Sequence, residues 1–371
     1  MTTLRIPLPI ETVENPMKSS TTTWAAINTF AAVAVAAALF PFSALLTSAP
    51  AGAESATSGT AGSVASDHFS WKHEQDPAAR ASTPRVAPYI DITMDEPTLP
   101  EVARATGQKH FTLAFVLGSS AGCDPKWGGT IELTEPRIIG QIRQLRAMGG
   151  DVVIATGGAL GPYLENVCGS SAALAEAYRK ILDATGSNHL DVDVEAAIPA
   201  NLVNQALATV QRERGTSVSY TLRVQGQDFG VDPFSVQILQ SAARHNVDVL
   251  VNPMLMNFGY TGDWGEAMVS AAKATLRQMK NDVWPDKSDT ELRRILGITP
   301  MIGRNDSGMT TTQAHARKLV SFARSHDIGF IGFWSVGRDN GRCPGGGVSP
   351  TCSGIAQSEY EFTNIFKAFA N

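Results

Sequence analysis

Residues 189–195 read His-Leu-Asp-Val-Asp-Val-Glu, and from Asp191 onward every second residue is a carboxylate. In a β-strand alternate side chains share a face, so Asp191, Asp193 and Glu195 project one way and Leu190, Val192 and Val194 the other. The apolar side can pack on helices, which leaves three acids aimed into the opposite space. Like charges a few ångström apart cannot all ionise, so at least one carboxyl is pushed toward a raised pKa. A protonated acid held beside an ionised one is what cleavage of a glycosidic bond requires. The bland alternative is a solvated acidic strand edge. The alternation with valine and leucine argues against it, because it demands one interior face.

Such a strand needs neighbours to position it. Short apolar runs at 86–92, 111–116, 151–156, 189–195, 217–224, 247–256, 295–302 and 328–336 alternate with longer helical patterns. The helical stretches repeat apolar residues at i, i+3 and i+4, as in Ile138/Ile142/Leu145, Leu174/Tyr178/Ile181 and Ile238/Ala242. Pro136, Ser171, Pro199, Pro233 and Asp263 stand where helices should start. Eight strands alternating with eight helices predict an α/β fold of the (β/α)8 TIM-barrel type, as a single catalytic domain. A doubly wound open sheet is the alternative, disfavoured by the evenness of the units. In a barrel, catalytic residues come from the C-terminal ends of strands and the loops that follow. Glu195 falls at such an end, and the long loops at 118–134, 156–170 and 337–358 fall on the same face.

Bulk properties set the context. Residues 25–46 are apolar and alanine-rich, preceded by Lys18 and followed by Ala51-Gly52-Ala53, the order of a secretory signal. Residues 1–53 are therefore expected to be a signal peptide, with Met17 the more conventional start. An uncleaved membrane anchor is the competing reading. Residues 54–83, rich in Ser, Ala, Thr and Gly, read as a flexible linker, and 84–371 as the barrel domain. A net charge of −5 gives no basic patch for nucleic acid. No C-x-x-C pair, histidine cluster or Gly-rich phosphate loop points to a metal or a cofactor. Four cysteines in an exported chain most simply make two disulfides. Cys343 and Cys352, nine apart in a Gly/Pro-rich loop, are paired first, and Cys123 with Cys168 follows by elimination. The expected protein is extracellular, monomeric and without a stable membrane anchor after signal cleavage.

With these elements in order, the chain resembles glycoside hydrolase family 18, the chitinase family. Its fourth-strand pattern D-x-x-D-x-D-x-E matches residues 188–195 at Asp191, Asp193 and Glu195, with Asn188 at the first position. The third-strand S-x-G-G becomes Ala155-Thr156-Gly157-Gly158, with the serine lost. Val251-Asn252-Pro253-Met254-Leu255-Met256-Asn257-Phe258-Gly259 looks like the V-N-V-M-T-M-D-Y-G of an actinobacterial and archaeal chitinase branch. Gly332-Phe333-Trp334-Ser335 is similar to the family's terminal tryptophan strand, and 299–303 and 343–354 look like the same branch. The likeness covers the whole expected barrel.

The resemblance implies chitin or chito-oligosaccharide as substrate, with no cofactor. Glu195 would be the general acid, Asp193 would support the substrate's own N-acetyl group, and Asp191 would share a proton with Asp193. Trp334 would be the floor under the sugar ring. Met254 and Met256 would line the pocket, although methionines on a barrel strand are usually core. Asn257 and Phe258 replace an aspartate and a tyrosine, and Tyr260 would supply the missing hydroxyl. Gly157 and Gly158 would allow close backbone approach beneath the acids. Trp127 is a candidate outer sugar platform or a loop-packing residue. Trp264 either lines the cleft or packs. Asn305 and Asp306 bind sugar hydroxyls or form a turn. An endo-β-N-acetylglucosaminidase acting on N-glycans or peptidoglycan-like chains, and a non-catalytic chitin-binding lectin, are the alternatives.

Overall fold

A computed structural model describes residues 84–370; the expected signal peptide and linker, and Asn371, lie outside the described residues. Strand β1 (Tyr89–Asp91) leads to α1 (Leu99–Thr106), and β2 (His110–Ser119) to a hairpin of β3 (Gly122–Trp127) and β4 (Ile131–Glu132), then α2 (Pro136–Ala147). After β5 (Asp151–Gly157) come the one-turn α3 (Leu164–Val167) and α4 (Ser171–Thr185). Strand β6 (His189–Val194) precedes α5 (Ala200–Arg214), and β7 (Ser217–Gly226) with its short partner β8 (Gly230–Val231) precedes α6 (Pro233–Arg244). Strand β9 (Val249–Leu255) is followed by α7 (Trp264–Gln278) and α8 (Asp289–Arg294). Next come β10 (Gly297–Pro300), a hairpin of β11 (Gly303–Arg304) and β12 (Thr310–Thr311), α9 (Gln313–Ser325), β13 (Phe330–Ile331) and α10 (Glu361–Lys367).

The helices begin where side chains satisfy their free N–H groups. Ser170, Asp232 and Asp263 accept from the third residue of α4, α6 and α7, and Pro136 and Pro233 occupy first positions. Thr98 and Glu101 form a reciprocal capping box that starts α1, a helix the periodicity does not single out.

Eight strands, β1, β2, β5, β6, β7, β9, β10 and β13, pair in that order, every pair parallel. The seam between last and first is not a continuous ladder. It consists of a parallel bridge between Val86 and Ile331 and backbone hydrogen bonds from Ala87 to Ile331, Ile331 to Arg85 and Tyr89 to Phe333. The result is the expected (β/α)8 TIM barrel. Where the sequence suggests a plain loop after the second strand, the chain instead folds back as the β3–β4 hairpin. Both expected disulfides form, Cys123–Cys168 and Cys343–Cys352, with Cα atoms 4.7 and 6.1 Å apart. Among the described residues no helix is long and apolar enough to cross a membrane.

The main core lies between barrel and helices. Leu190, Val192 and Val194 of β6 are buried there, packed in one cluster with Tyr178, Leu182, Val203 and Leu207 of α4 and α5. At about 1.5–3 kcal/mol per buried aliphatic side chain, these three fix which face of β6 turns inward. The acids have only the barrel interior left to them.

Candidate active site

Asp191 is the innermost of the three acids and is fully buried. Its Oδ2 accepts from the Tyr89 hydroxyl at 2.7 Å, and its Oδ1 accepts from Thr221 at 2.9 Å and from Ser219. Thr221 in turn accepts from the Asn252 amide at 2.9 Å, and the Asn252 carbonyl accepts from Thr299 at 3.0 Å. A hydroxyl and amide network therefore crosses the barrel from β1 through β6, β7 and β9 to β10. Burial pushes the Asp191 carboxyl up to about 6, and the three hydroxyl donors oppose that shift. The family's third-strand serine is Ala155 here, paired directly beside Asp191. Ala155 offers no hydroxyl, and the donors to Asp191 come from β1 and β7.

Asp193 lies one step further along the same face, about 6.6 Å on for two residues of strand. It too is buried, and its Oδ1 has no hydrogen-bond partner. Burial raises its pKa well above the usual carboxylate range, and the charges of Asp191 and Glu195 add to the effect. Glu195 follows the end of β6 and is half-buried. Its pKa is raised by burial, lowered by Arg223 and raised by Asp306. The trio thus runs from a fully hydrogen-bonded inner acid, through an unpaired buried one, to an outer acid biased toward its protonated form.

The backbone beneath Asp193 and Glu195 is held by β5 and its loop. Gly157 and Gly158 have φ of 85° and 86°. A Cβ on Gly157 would lie 2.0 Å from the Asp193 carbonyl oxygen, and one on Gly158 would lie 2.8 Å from the Phe115 ring. Gly158 N–H donates to the Asp193 carbonyl at 3.0 Å. The expected close approach is present, and only glycine tolerates it. Tyr163 completes the clamp, because its hydroxyl accepts from Glu195 N–H at 3.1 Å and donates to the Gly158 carbonyl. Burial pushes Tyr163 up to about 12, so its proton stays in place at working pH.

Trp334 is half-buried over Tyr89 and Phe115, stacked on Phe115 at 5.7 Å and 18°. It follows the last barrel strand, β13, across the barrel from β6, which carries the acids. Met254 is buried, Met256 half-buried, and Tyr260 39% exposed. Asn257 does not face the acids through a hydrogen bond. Its amide donates to Asp306 at 2.9 Å, and its carbonyl accepts from the Ser307 backbone and hydroxyl at 3.1 and 2.9 Å. It thus ties the end of β9 to the loop after β11.

Several expected site residues are placed otherwise. Trp127 is fully buried under the β3–β4 hairpin, donating to the Leu133 carbonyl, and offers no face to a ligand, so the platform role gives way to packing. Phe258 is buried against Trp264 with ring centres 4.7 Å apart, so its ring belongs to the core. Trp264 itself is buried and donates to Thr311. Asn305 is buried, and its amide donates to the carbonyls of Met301 and Gly303, the turn-forming role. Asn188 binds Arg214 and Thr216 at the opposite end of the strand, so its departure from the family pattern leaves the acids untouched.

Tyr89, Tyr163, Ser219, Thr221, Asn252 and Phe115 were not singled out from the sequence. Ser217, Ser219 and Thr221 do alternate with Val218, Tyr220 and Leu222, the same period-two pattern as the acids and a usable signal. Tyr163 carries no local signal at all. Among the described residues no group of three or more His, Cys, Asp or Glu is arranged to hold a metal ion.

The chain is similar to known proteins. The catalytic domain of a hyperthermophilic chitinase from Pyrococcus furiosus is 38% identical and superposes with a TM-score of 0.72, the match covering 79% of this chain and 97% of that one. A probable bifunctional chitinase/lysozyme from Escherichia coli (strain K12) is 31% identical over 311 residues, and endochitinase 11 from Metarhizium anisopliae 30% identical over 278. Those matches cover 76% and 68% of this chain but span only 34% and 52% of the two relatives. No family model matches the chain.

Proposed function

Because the chain belongs to glycoside hydrolase family 18, the chitinase family, we propose that it is a secreted, retaining chitinase that hydrolyses β-1,4-linked N-acetylglucosamine chains with help from the substrate's own acetamido group. The observation that carries this reading is Asp193. A buried carboxyl oxygen without a partner costs about 1–3 kcal/mol, and here it lies one strand step from a half-buried glutamate. An acetamido N–H is the donor that would satisfy it.

In the first step Glu195, protonated, gives its proton to the glycosidic oxygen as the bond from that oxygen to the anomeric carbon breaks. The acetamido carbonyl oxygen supplies the electron pair to the anomeric carbon, forming a cyclic oxazolinium ion. The proton of the inner pair, which rests on the more strongly raised Asp193, passes to Asp191, and Asp193 so ionised accepts the acetamido N–H and balances the new positive charge. Water then attacks the anomeric carbon and loses a proton to the Glu195 carboxylate. The ring reopens, and two inversions leave configuration retained. This is the substrate-assisted variant of two-carboxylate glycoside cleavage. Secretion is supported by the leader-like residues 1–53 and by two disulfides, which persist in oxidising compartments.

Glu195→Gln tests the reading. Turnover of a chromogenic chitobioside should fall by at least ~10²–10⁴ while chito-oligosaccharide binding persists, and a thiazoline analogue of the intermediate should inhibit the wild type. A wild type that binds chito-oligosaccharide without turning it over would make the protein a lectin. Insensitivity to the thiazoline would remove the substrate-assisted step.

A further inference from the structure

Among the described residues two carboxyl oxygens are buried without a hydrogen-bond partner, Asp193 Oδ1 and Glu165 Oε2. The first belongs to the acid trio. The second lies on the other side of the barrel wall, in the layer between strands and helices. Glu165 Oε1 accepts from the Thr156 hydroxyl of β5 at 2.7 Å and from the Tyr178 hydroxyl of α4 at 2.8 Å. Thr156 pairs with Val192, so its side chain shares the helix-facing side of the sheet with that residue. Burial raises the Glu165 carboxyl above its ordinary value, while the hydroxyls of Thr156 and Tyr178 oppose the shift.

Glu165 sits in α3, a helix of one turn. Helices this short have no stability of their own, so α3 stays where other contacts put it. Its flanks are fixed by the Pro162 carbonyl, which accepts from Gly118 N–H at 2.9 Å, and by the Cys123–Cys168 disulfide. Glu165 fixes the middle, tying it to β5 and α4. On the opposite side two neighbours reach the segment that carries the outer acid. The Tyr163 hydroxyl accepts from Glu195 N–H at 3.1 Å, and the Asn166 amide donates to the Ala197 carbonyl at 3.0 Å. A buried acid with no path to substrate is thus two residues from one brace of Glu195 and one residue from another.

We propose that Glu165 is a positioning residue for the general acid, a hydrogen-bond acceptor behind the barrel wall that seats α3 so that Tyr163 and Asn166 hold the Glu195 segment in place. It touches no substrate and acts only through α3. The proposal rests on the reading of Glu195 as proton donor and extends the machinery to a residue outside the cleft.

The test compares Glu165→Leu, Glu165→Gln and Tyr178→Phe with the wild type by kinetics on a chromogenic chitobioside and by amide hydrogen exchange. Glu165→Leu should lower kcat about 10- to 100-fold with KM changed less than about threefold, and should speed exchange over residues 195–197. The conservative Glu165→Gln, which keeps an acceptor for both hydroxyls, should rescue kcat to within about threefold of wild type. Combined with Tyr163→Phe, Glu165→Leu should cost little more than the worse single variant, because both act on one segment. Tyr178→Phe keeps the ring, deletes one donor and should lower kcat about 2- to 10-fold; it decides the matter if Glu165→Leu does not fold, and an unchanged kcat there would count against the proposal. A folded Glu165→Leu with kcat within twofold of wild type, a Glu165→Gln as damaging as Glu165→Leu, or losses that multiply with Tyr163→Phe would each overturn it. A wild type without turnover would sink the chitinase reading alone, and exchange over 195–197 would still decide whether Glu165 holds that segment.

Discussion

Tyr163→Phe removes one oxygen atom and probes whether Glu195 is positioned by the loop after β5. That oxygen accepts from Glu195 N–H and donates to the Gly158 carbonyl, so two hydrogen bonds are lost. At a net ~0.5–1.5 kcal/mol each, stability should fall by about 1–3 kcal/mol. A domain of this size then melts roughly 2–4 °C lower per kcal/mol. The effect on rate should be larger in proportion, because a small displacement of a proton donor is costly. A loss of roughly 10- to 100-fold in kcat corresponds to about 1.4–2.8 kcal/mol of misplacement. KM on a chromogenic chitobioside should change less than about threefold, since Tyr163 is buried and its hydroxyl is spent on the backbone. The Tyr163 proton is held up to about 12, so it takes no part in the proton transfers and both limbs of the pH profile should stay where they are. Full kinetics across pH together with a thermal melt measure all of this. A kcat within twofold of wild type, or a displaced alkaline limb, would refute the positioning argument.

Other consequences can be measured independently. Gly157→Ala places a methyl 2.0 Å from the Asp193 carbonyl at a φ of 85°, so denaturant unfolding should show at least ~2 kcal/mol of lost stability, with activity lost alongside. The proposed general-acid step needs Glu195 protonated, and its pKa is raised, so activity should fall as pH rises through that raised value. Glu195→Asp, keeping the carboxyl but withdrawing it, should lower kcat without abolishing the alkaline limb. Asp191 is raised from 3.8 to about 6, so between those values the folded state binds more protons than the unfolded one. Stability from this group is then fully present below about 4 and declines as pH rises toward 6, by roughly 3 kcal/mol at most; urea titrations should show that slope reduced in Asp191→Asn. Replacing both cysteines of Cys123–Cys168, separated by 45 residues, should destabilise by about 4 kcal/mol, against about 2.6 for Cys343–Cys352, separated by 9, on chain entropy. Equal midpoints in the two double variants would contradict the loop-length ordering.

The fold was largely legible because its signals are local. Eight apolar runs and the helix-start signals at Pro136, Pro233 and Asp263 need only neighbouring residues to declare themselves. The β3–β4 hairpin was missed, since Gly122–Trp127 alternates weakly and carries Asp124, Pro125 and Lys126, poor strand formers that pair because β2 is already beside them. The sequence leaves Trp127 open between platform and packing for a related reason, and the hairpin decides for packing by folding it into the core.

What the chain determines by itself is the face on which Asp191, Asp193 and Glu195 stand, because a period of two is a property of the backbone and Leu190, Val192 and Val194 must be buried. The partners that give those acids different characters come from tertiary structure alone. Tyr89 is 102 residues from Asp191, Ser219 is 28, and Tyr163 is 32 from Glu195. No periodicity links such positions. Only assembly of the barrel brings the Tyr89 and Ser219 hydroxyls to the Asp191 carboxyl and the Tyr163 hydroxyl to the Glu195 backbone, leaving the first acid hydrogen-bonded, the second unpaired and the third facing outward.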